Sequence, residues 1–145
     1  MKRLVYIYMV LGMMMTSCTL ETSDNGDLDG FWQLYELDTL STGGVADMRE
    51  KTIFFAVQMR MLEIKNPSGD AHKNVIFRFE RQGDSLIIYN PRFNNREESD
   101  PEITDPSVLN QYGLYRLRES FFVGSLNGSN MDLKSDRFWF HFRRY

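Results

Sequence analysis

Few side chains in this 145-residue chain could carry out chemistry, and one of them is the single cysteine, Cys18. One cysteine excludes an internal disulfide framework and a cysteine-based zinc site. Of the two histidines, His72 lies in a polar turn and His141 on the polar face of the last predicted strand. His141 could be a ligand or a base, or simply a surface histidine. No serine stands in a nucleophile elbow, so the sequence predicts no enzyme, cofactor or metal centre.

Acidic side chains crowd one polar segment, and their oxygens are the ligands that calcium prefers. The alternate spacing and central glycine of a calcium loop are missing from this segment. A solvated loop is therefore the prediction for these five residues: Glu97, Glu98, Asp100, Glu102 and Asp105.

The N-terminal segment predicts that the protein is exported. Lys2 and Arg3 precede an apolar run from Leu4 to Met15 that is too short to span a bilayer. Small residues at positions 16 and 17 directly before Cys18 resemble a bacterial lipobox, which implies a signal peptide over residues 1–17 and lipidation of Cys18. The alternative is an ordinary signal peptide with an incidental free thiol.

Residues 18–27 are polar and acidic, which predicts a tether with little to bury. By resemblance to Gram-negative lipoproteins, Thr19 directly after Cys18 implies the outer membrane, facing either the periplasm or the cell surface. A chain starting at Cys18 has 15 basic and 20 acidic residues, a charge of −5. This acidity argues against a nucleic-acid partner, which needs a basic footprint.

Residues 28–145 are predicted to form one all-β domain, because short runs of alternating apolar residues are bounded by Gly, Asn, Asp or Pro. The chain has eleven phenylalanines but only three alanines, which favours strands over helices. One short helix is predicted between Asp105 and Gly113, and Asn127-Gly128 predicts a two-residue hairpin turn. The predicted strands are Leu28–Leu37, Thr52–Ile64, Asn74–Arg81, Ser85–Tyr89, Leu114–Arg118, Glu119–Gly124, Met131–Lys134 and Arg137–Tyr145.

About eight antiparallel strands in up-and-down order leave no exposed edge if they close into a barrel. Gly30 and Trp32 open the first strand, and this Gly-x-Trp resembles the first motif of lipocalins and their calycin relatives. The whole chain resembles the lipocalin-like lipoproteins of Gram-negative bacteria. The resemblance implies that Arg144, rather than Arg143, packs over Trp32 and closes the barrel. Trp32 as a core residue of another β-sandwich is the alternative.

A barrel of eight strands is wide enough either for its own side chains or for one small ligand. One hypothesis is therefore an envelope protein that binds a small hydrophobic or aromatic molecule without catalysis. The other is a filled barrel whose loops, especially Pro91 to Asp105, bind a protein or a glycan. The residues predicted to line a ligand cavity are Leu34, Phe55, Val57, Met59, Phe77, Phe79, Ile88, Phe121, Met131, Phe140 and Phe142.

Overall fold

The computed structural model describes residues 23–66 and 73–145, and in this part the chain forms one closed antiparallel barrel. The predicted leader, Cys18 and His72 lie outside the described residues. The strands are β1 Gly30–Thr39, β2 Val45–Asp47, β3 Phe54–Gln58, β4 Met61–Lys65, β5 Val75–Gln82, β6 Ser85–Phe93, β7 Glu119–Leu126, β8 Asn130–Lys134 and β9 Phe138–Arg144.

Each strand pairs with the next along the chain, except that β2 and β3 both pair with β1, and β9 returns to β1 to close the barrel. β3 pairs with the first half of β1 and β2 with the second half, so these two short strands share one position. The barrel thus has eight positions, which confirms the predicted up-and-down barrel.

Two-residue alternation places the apolar side chains inside the barrel. In β5, Val75, Phe77 and Phe79 are buried while Arg78 and Glu80 are exposed. Each buried large apolar side chain contributes about 1.5–3 kcal/mol, so the phenylalanine-rich interior is the main source of stability.

β-bulges interrupt this alternation in three strand pairs. Extra residues occur between Leu34 and Glu36 in β1, between Tyr89 and Arg92 in β6, and between Val123 and Ser125 in β7. Each bulge shifts the side chains that follow it to the opposite face. In β1 the buried set runs Trp32, Leu34, Leu37, so Glu36 and Asp38 face outward.

The predicted helix is present as a 3₁₀ helix, Pro106–Tyr112. The Asp105 carboxylate accepts a hydrogen bond of 2.9 Å from the Ser107 backbone N–H, and Gly113 ends the helix with φ +77°. Both features are those that the sequence indicates.

Several predicted elements are wrong in detail. The second predicted strand breaks into β3 and β4 because Met59 adopts a left-handed conformation, with φ +55°. Residues 114–118 form no strand, since Leu114 is buried at the end of the barrel and Arg116 extends to Glu119 and Asp136.

The Asn127-Gly128 hairpin turn exists, but neither residue has positive φ. Instead the Asn127 Oδ1 atom accepts hydrogen bonds from the backbone N–H groups of Ser129 and Asn130. The side chain of Asn127 thus builds a longer loop between Leu126 and Met131, the last facing pair of residues before the loop.

Candidate functional site

The barrel interior is packed with side chains. The rings of Phe55 and Phe142 lie 4.7 Å apart, and those of Phe121 and Phe140 lie 5.5 Å apart, measured between centroids. All but one of the side chains predicted to line a cavity are at most 8 % exposed and belong to this core: Leu34, Phe55, Val57, Phe77, Phe79, Ile88, Phe121, Met131, Phe140 and Phe142. The exception is Met59, which is 39 % exposed in the turn between β3 and β4, so the prediction that it faces the interior is wrong.

One end of the barrel, which we call the Trp32 end, is closed by Trp32 and Arg144. The Arg144 guanidinium carbon lies 4.4 Å from the centroid of the fully buried Trp32 ring. The same guanidinium donates to the carbonyl oxygens of Asp27 at 2.8 Å, Asp29 at 2.9 Å and Gly128 at 2.6 Å. The structure therefore places Arg144 where the sequence predicts it.

Gly30 permits this arrangement at the Trp32 end. Its φ is +140°, a conformation that side chains rarely adopt, and an added Cβ would overlap the Arg144 Nη1 atom. Arg143 faces outward instead, where its Nε and Nη2 atoms donate to Gln33 Oε1 at 2.9 and 2.7 Å.

The opposite end, which we call the helix end, is closed by the 3₁₀ helix and its flanks. Ile103, Leu109, Tyr112 and Leu114 are at most 4 % exposed and join the interior core. A Cβ at Gly113 would lie 3.1 Å from Phe140 Cε1, so the chain here packs directly on the barrel. Both ends are thus closed, and in the described part of the chain side chains fill the interior, as in the filled-barrel alternative.

Concave surface is found on the outside of the barrel, around Arg78. Three adjoining grooves of about 340, 670 and 390 Å³ share this residue. Such volumes are in the range of small-molecule sites. We call the three together the Arg78 groove. Its main lining residues are Asn25, Met59, Arg60, Met61, Arg78, Arg81, Tyr89, Arg92, Arg96 and Asp100.

The charge of the Arg78 groove is opposite to that of the whole chain. Five arginines line it, against the three acidic residues Asp24, Glu80 and Asp100. Asp100 is already paired with Arg96 at 3.0 Å. Within residues 23–66 and 73–145, neither Arg60 nor Arg78 has a hydrogen-bond or ion-pair partner. Two guanidinium groups are thus available to bind an anion.

A second polar site lies on the outer face of β1, β8 and β9, around His141. Its Nδ1 atom lies 2.8 Å from Asp132 Oδ1, and its Nε2 atom lies 3.0 Å from Asp38 Oδ2. Desolvation is the largest influence on His141 and lowers its pKa, but the hydrogen bonds to Asp38 and Asp132 outweigh it and raise the pKa. We call Glu36, Asp38, Asp132 and His141 the His141 cluster.

Sequence reasoning singled out His141 but missed its partners. The β1 bulge turns Glu36 and Asp38 outward, and the β7 bulge brings Ser125 beside Asp132, whose Oδ2 accepts from Ser125 Oγ at 2.7 Å. No local signal in the sequence marks either bulge. The predicted acidic loop is mostly solvated, with Glu97, Glu98, Glu102 and Asp105 exposed.

Among residues 23–66 and 73–145, no helix has the length and apolar character needed to cross a bilayer.

Comparison with known proteins agrees with this architecture. A family model for the lipocalin-like domain matches residues 13–145. A crystal structure of a lipocalin-like protein from Bacteroides uniformis ATCC 8492 superposes with a TM-score of 0.62 at 19 % identity, covering 83 % of this chain and 100 % of that one. An uncharacterized protein from Bacteroides eggerthii DSM 20697 gives a TM-score of 0.56 at 22 % identity, covering 81 % and 98 %. No curated protein matches the chain.

Proposed function

The chain belongs to the lipocalin-like domain family, and on that premise we propose that it is a membrane-anchored binding protein without catalytic activity. Its ligand is an anionic amphiphile, held on the outside of the barrel in the Arg78 groove. The observation that carries this proposal is the combination of a packed interior with an unneutralised arginine pair on a concave outer face.

The side chains of the Arg78 groove suit such a ligand. A guanidinium binds carboxylate or phosphate oxygens through two parallel hydrogen bonds and is only weakly hydrated. Met59 and Met61 add apolar surface beside the arginines, at 39 % and 42 % exposed. Methionine side chains adapt their shape to irregular apolar groups, so an acyl or alkyl chain next to the acidic group fits this surface.

The predicted anchor would hold the groove near a membrane. Ser23 Oγ accepts from the Met59 backbone N–H at 2.9 Å, and Asn25 Nδ2 donates to the Met59 carbonyl oxygen at 2.6 Å. The chain between Cys18 and Ser23 reaches at most about 18 Å, at about 3.6 Å per residue. Lipidation of Cys18 would therefore keep the groove within reach of lipid headgroups on the outer membrane.

A binding experiment with paired probes tests the groove. Full-length protein in mild detergent is titrated with dodecyl phosphate and with dodecanol, which differ only in the anionic group. We expect preference for dodecyl phosphate and at least a tenfold loss of that affinity in R60Q/R78Q. The matched control K51Q removes an exposed cation far from the groove and should bind like the wild type.

The same proteins carrying C18A, which removes the proposed lipid anchor, are added to nanodiscs of phosphatidylglycerol or phosphatidylcholine to distinguish a lipid headgroup from a free ligand. Retention on phosphatidylglycerol that is lost in R60Q/R78Q would identify the headgroup as a source of the anionic group. Equal affinity of R60Q/R78Q and wild type for dodecyl phosphate would contradict the proposal. Tight binding of dodecanol would instead favour a ligand inside the barrel.

The anchor has its own test. C18A should abolish fatty-acid labelling in cells and move the protein from the membrane fraction to the soluble fraction. Unchanged labelling would contradict lipidation at Cys18 and would leave the groove proposal intact.

A further inference from the structure

The His141 cluster is a set of side chains that the proposed ligand site does not use. A carboxylate oxygen of Glu36, one of Asp38 and a ring nitrogen of His141 all lie within 4.8 Å of one another. These atoms come from neighbouring strands β1 and β9, where Glu36 faces His141 directly in the register. A rigid antiparallel pair thus presents three potential metal ligands on one face.

Hydrogen bonds on the Nδ1 side of the His141 ring fix its orientation. Ser125 donates to Asp132 Oδ2, and Asp132 Oδ1 accepts from His141 Nδ1, at 2.7 and 2.8 Å. A carboxylate that accepts the Nδ1 proton leaves the Nε2 lone pair free to bind a metal, as in most protein sites with a histidine ligand. Nε2 is the ring atom that points toward Asp38.

Charge at the cluster is unbalanced without a cation. Glu36, Asp38 and Asp132 carry three negative charges, and His141 supplies at most one positive charge. The nearby cations are engaged elsewhere, because Arg49 pairs with Asp47, Arg143 donates to Gln33, and Lys134 lies over the Trp139 ring at 5.2 Å.

Two carboxylates of the cluster have oxygens without a partner among the described residues. In that part of the chain the Asp38 Oδ1 atom is buried and accepts no hydrogen bond. Within residues 23–66 and 73–145, the Glu36 carboxylate likewise has no hydrogen-bond or ion-pair partner. If His141 were an imidazolium that donates from both ring nitrogens, it would satisfy Asp132 and one oxygen of Asp38. Asp38 Oδ1 and the Glu36 carboxylate would still lack a partner among the described residues.

Aromatic rings limit the access of water to the cluster. The His141 ring lies 5.2 Å from the Trp139 ring and 6.3 Å from the Tyr35 ring, centroid to centroid. Its side chain is 15 % exposed, against 27 % for Asp38. The cluster is therefore partly open to solvent, while the aromatic rings shield His141 from water and so strengthen its interactions with the carboxylates.

From this geometry we propose that Glu36, Asp38 and His141 bind a divalent transition-metal ion of the zinc class. Imidazole with carboxylate ligands suits Zn²⁺, and three protein ligands leave one position for water. Asp132 is a positioning residue that orients His141. The site lies on β1 and β9, whereas the Arg78 groove is formed by the N-terminal segment, the β3–β4 turn, β5, β6 and the loop that follows, so the two proposals stand independently.

The test is titration of metal-free full-length protein with Zn²⁺ by calorimetry, with Co²⁺ absorption as a report of nitrogen ligation. We expect one ion per chain, loss of the Co²⁺ signal in H141A, and at least tenfold weaker Zn²⁺ binding in E36Q and D38N. D132N should weaken binding about 10- to 100-fold while one ion is still bound at saturation. H72A and E102Q are the controls that should bind as the wild type does.

Since E36Q removes no hydrogen bond of the described chain, it should fold normally, and a matching circular dichroism spectrum establishes this. Zn²⁺ binding that is unchanged in both E36Q and D38N would identify an adventitious ion only and would overturn the proposal. Absence of Zn²⁺ binding in the wild type would overturn it as well.

Discussion

The two ends of the barrel are closed by different kinds of interaction. At the Trp32 end, one guanidinium packs on an indole and donates to three backbone carbonyls, joining Arg144 to Asp27 and Asp29 across more than 110 residues of sequence. At the helix end, a local segment covers the opening with apolar side chains such as Leu109 and Leu114. The first closure joins segments far apart in sequence, whereas the second is one local segment, which we expect to open without unfolding the strands.

The largest expected effect comes from W32A. We expect the free energy of unfolding to fall by about 3–5 kcal/mol, because a fully buried indole and the platform of Arg144 are both removed. L109A, at the helix end, should cost about 2–4 kcal/mol by the cavity it leaves. Equilibrium denaturation in urea measures both values.

Hydrogen exchange then separates the two ends. L109A should lose amide protection mainly around the 3₁₀ helix, while W32A should lose it throughout β1 and β9. Equal and global loss of protection in L109A would show that the two ends do not differ in this way.

An intermediate effect is expected for R144M, which keeps an apolar stem and removes the charge. We expect a loss of about 1–3 kcal/mol from the cation–π contact and the hydrogen bonds to carbonyl oxygens. R144K should recover only part of it, since an ammonium lacks the planar fork. R143Q is the matched control, because the Arg143 guanidinium faces outward and donates to the Gln33 side chain. If R143Q destabilised the protein more than R144M, the predicted role of Arg144 would be wrong.

The smallest expected effect is the response of the helix end to low pH. Hydrogen bonds from the backbone N–H and the hydroxyl of Ser107 lower the pKa of Asp105 below its ordinary value of 3.8. A lowered pKa in the folded state contributes stability above pH 3.8, and this contribution is lost as the pH falls through the folded pKa. The helix end should therefore loosen as the pH falls below 3.8.

D105N keeps the cap without the titrating group, so it should remove this part of the pH dependence. D105A should expose the amides of the 3₁₀ helix at every pH. Hydrogen exchange of Leu109 and Tyr112 at pH 5 and pH 3 measures both. Identical pH dependence of the wild type and D105N would contradict the assignment.

The sequence predicted the barrel and the short helix because those features depend on local signals, whereas the closing roles of Trp32 and Arg144 were implied by the resemblance to lipocalins. Alternation locates the strands, a Gly-x-Trp opens β1, and Asp105-Pro106 begins the helix. The sequence did not predict the bulges, at which the alternation of inward and outward side chains is interrupted. Simple alternation from Trp32 would turn Glu36 and Asp38 inward, and only the pairing of β1 with β9 shows the bulge that turns them outward.

The Arg78 groove shows the same limit. Arg78 lies on the outer face of β5. Its proximity to Arg60 and Met59 depends on the left-handed residue that splits the second predicted strand. A single left-handed φ at a residue other than glycine costs about 1–2 kcal/mol and is set by tertiary packing, so it leaves no mark in the sequence.

The bonds of Arg144 also have a mechanical consequence. If the N-terminal segment is fixed to a membrane, a pull on Ser23 first loads its hydrogen bonds to Asp29 and Met59. The load next reaches the carbonyls of Asp27 and Asp29, which Arg144 holds. From Arg144 the force passes into β9 before β1 separates from the sheet. Arg144 would thus protect the barrel from a pull on the N-terminal segment.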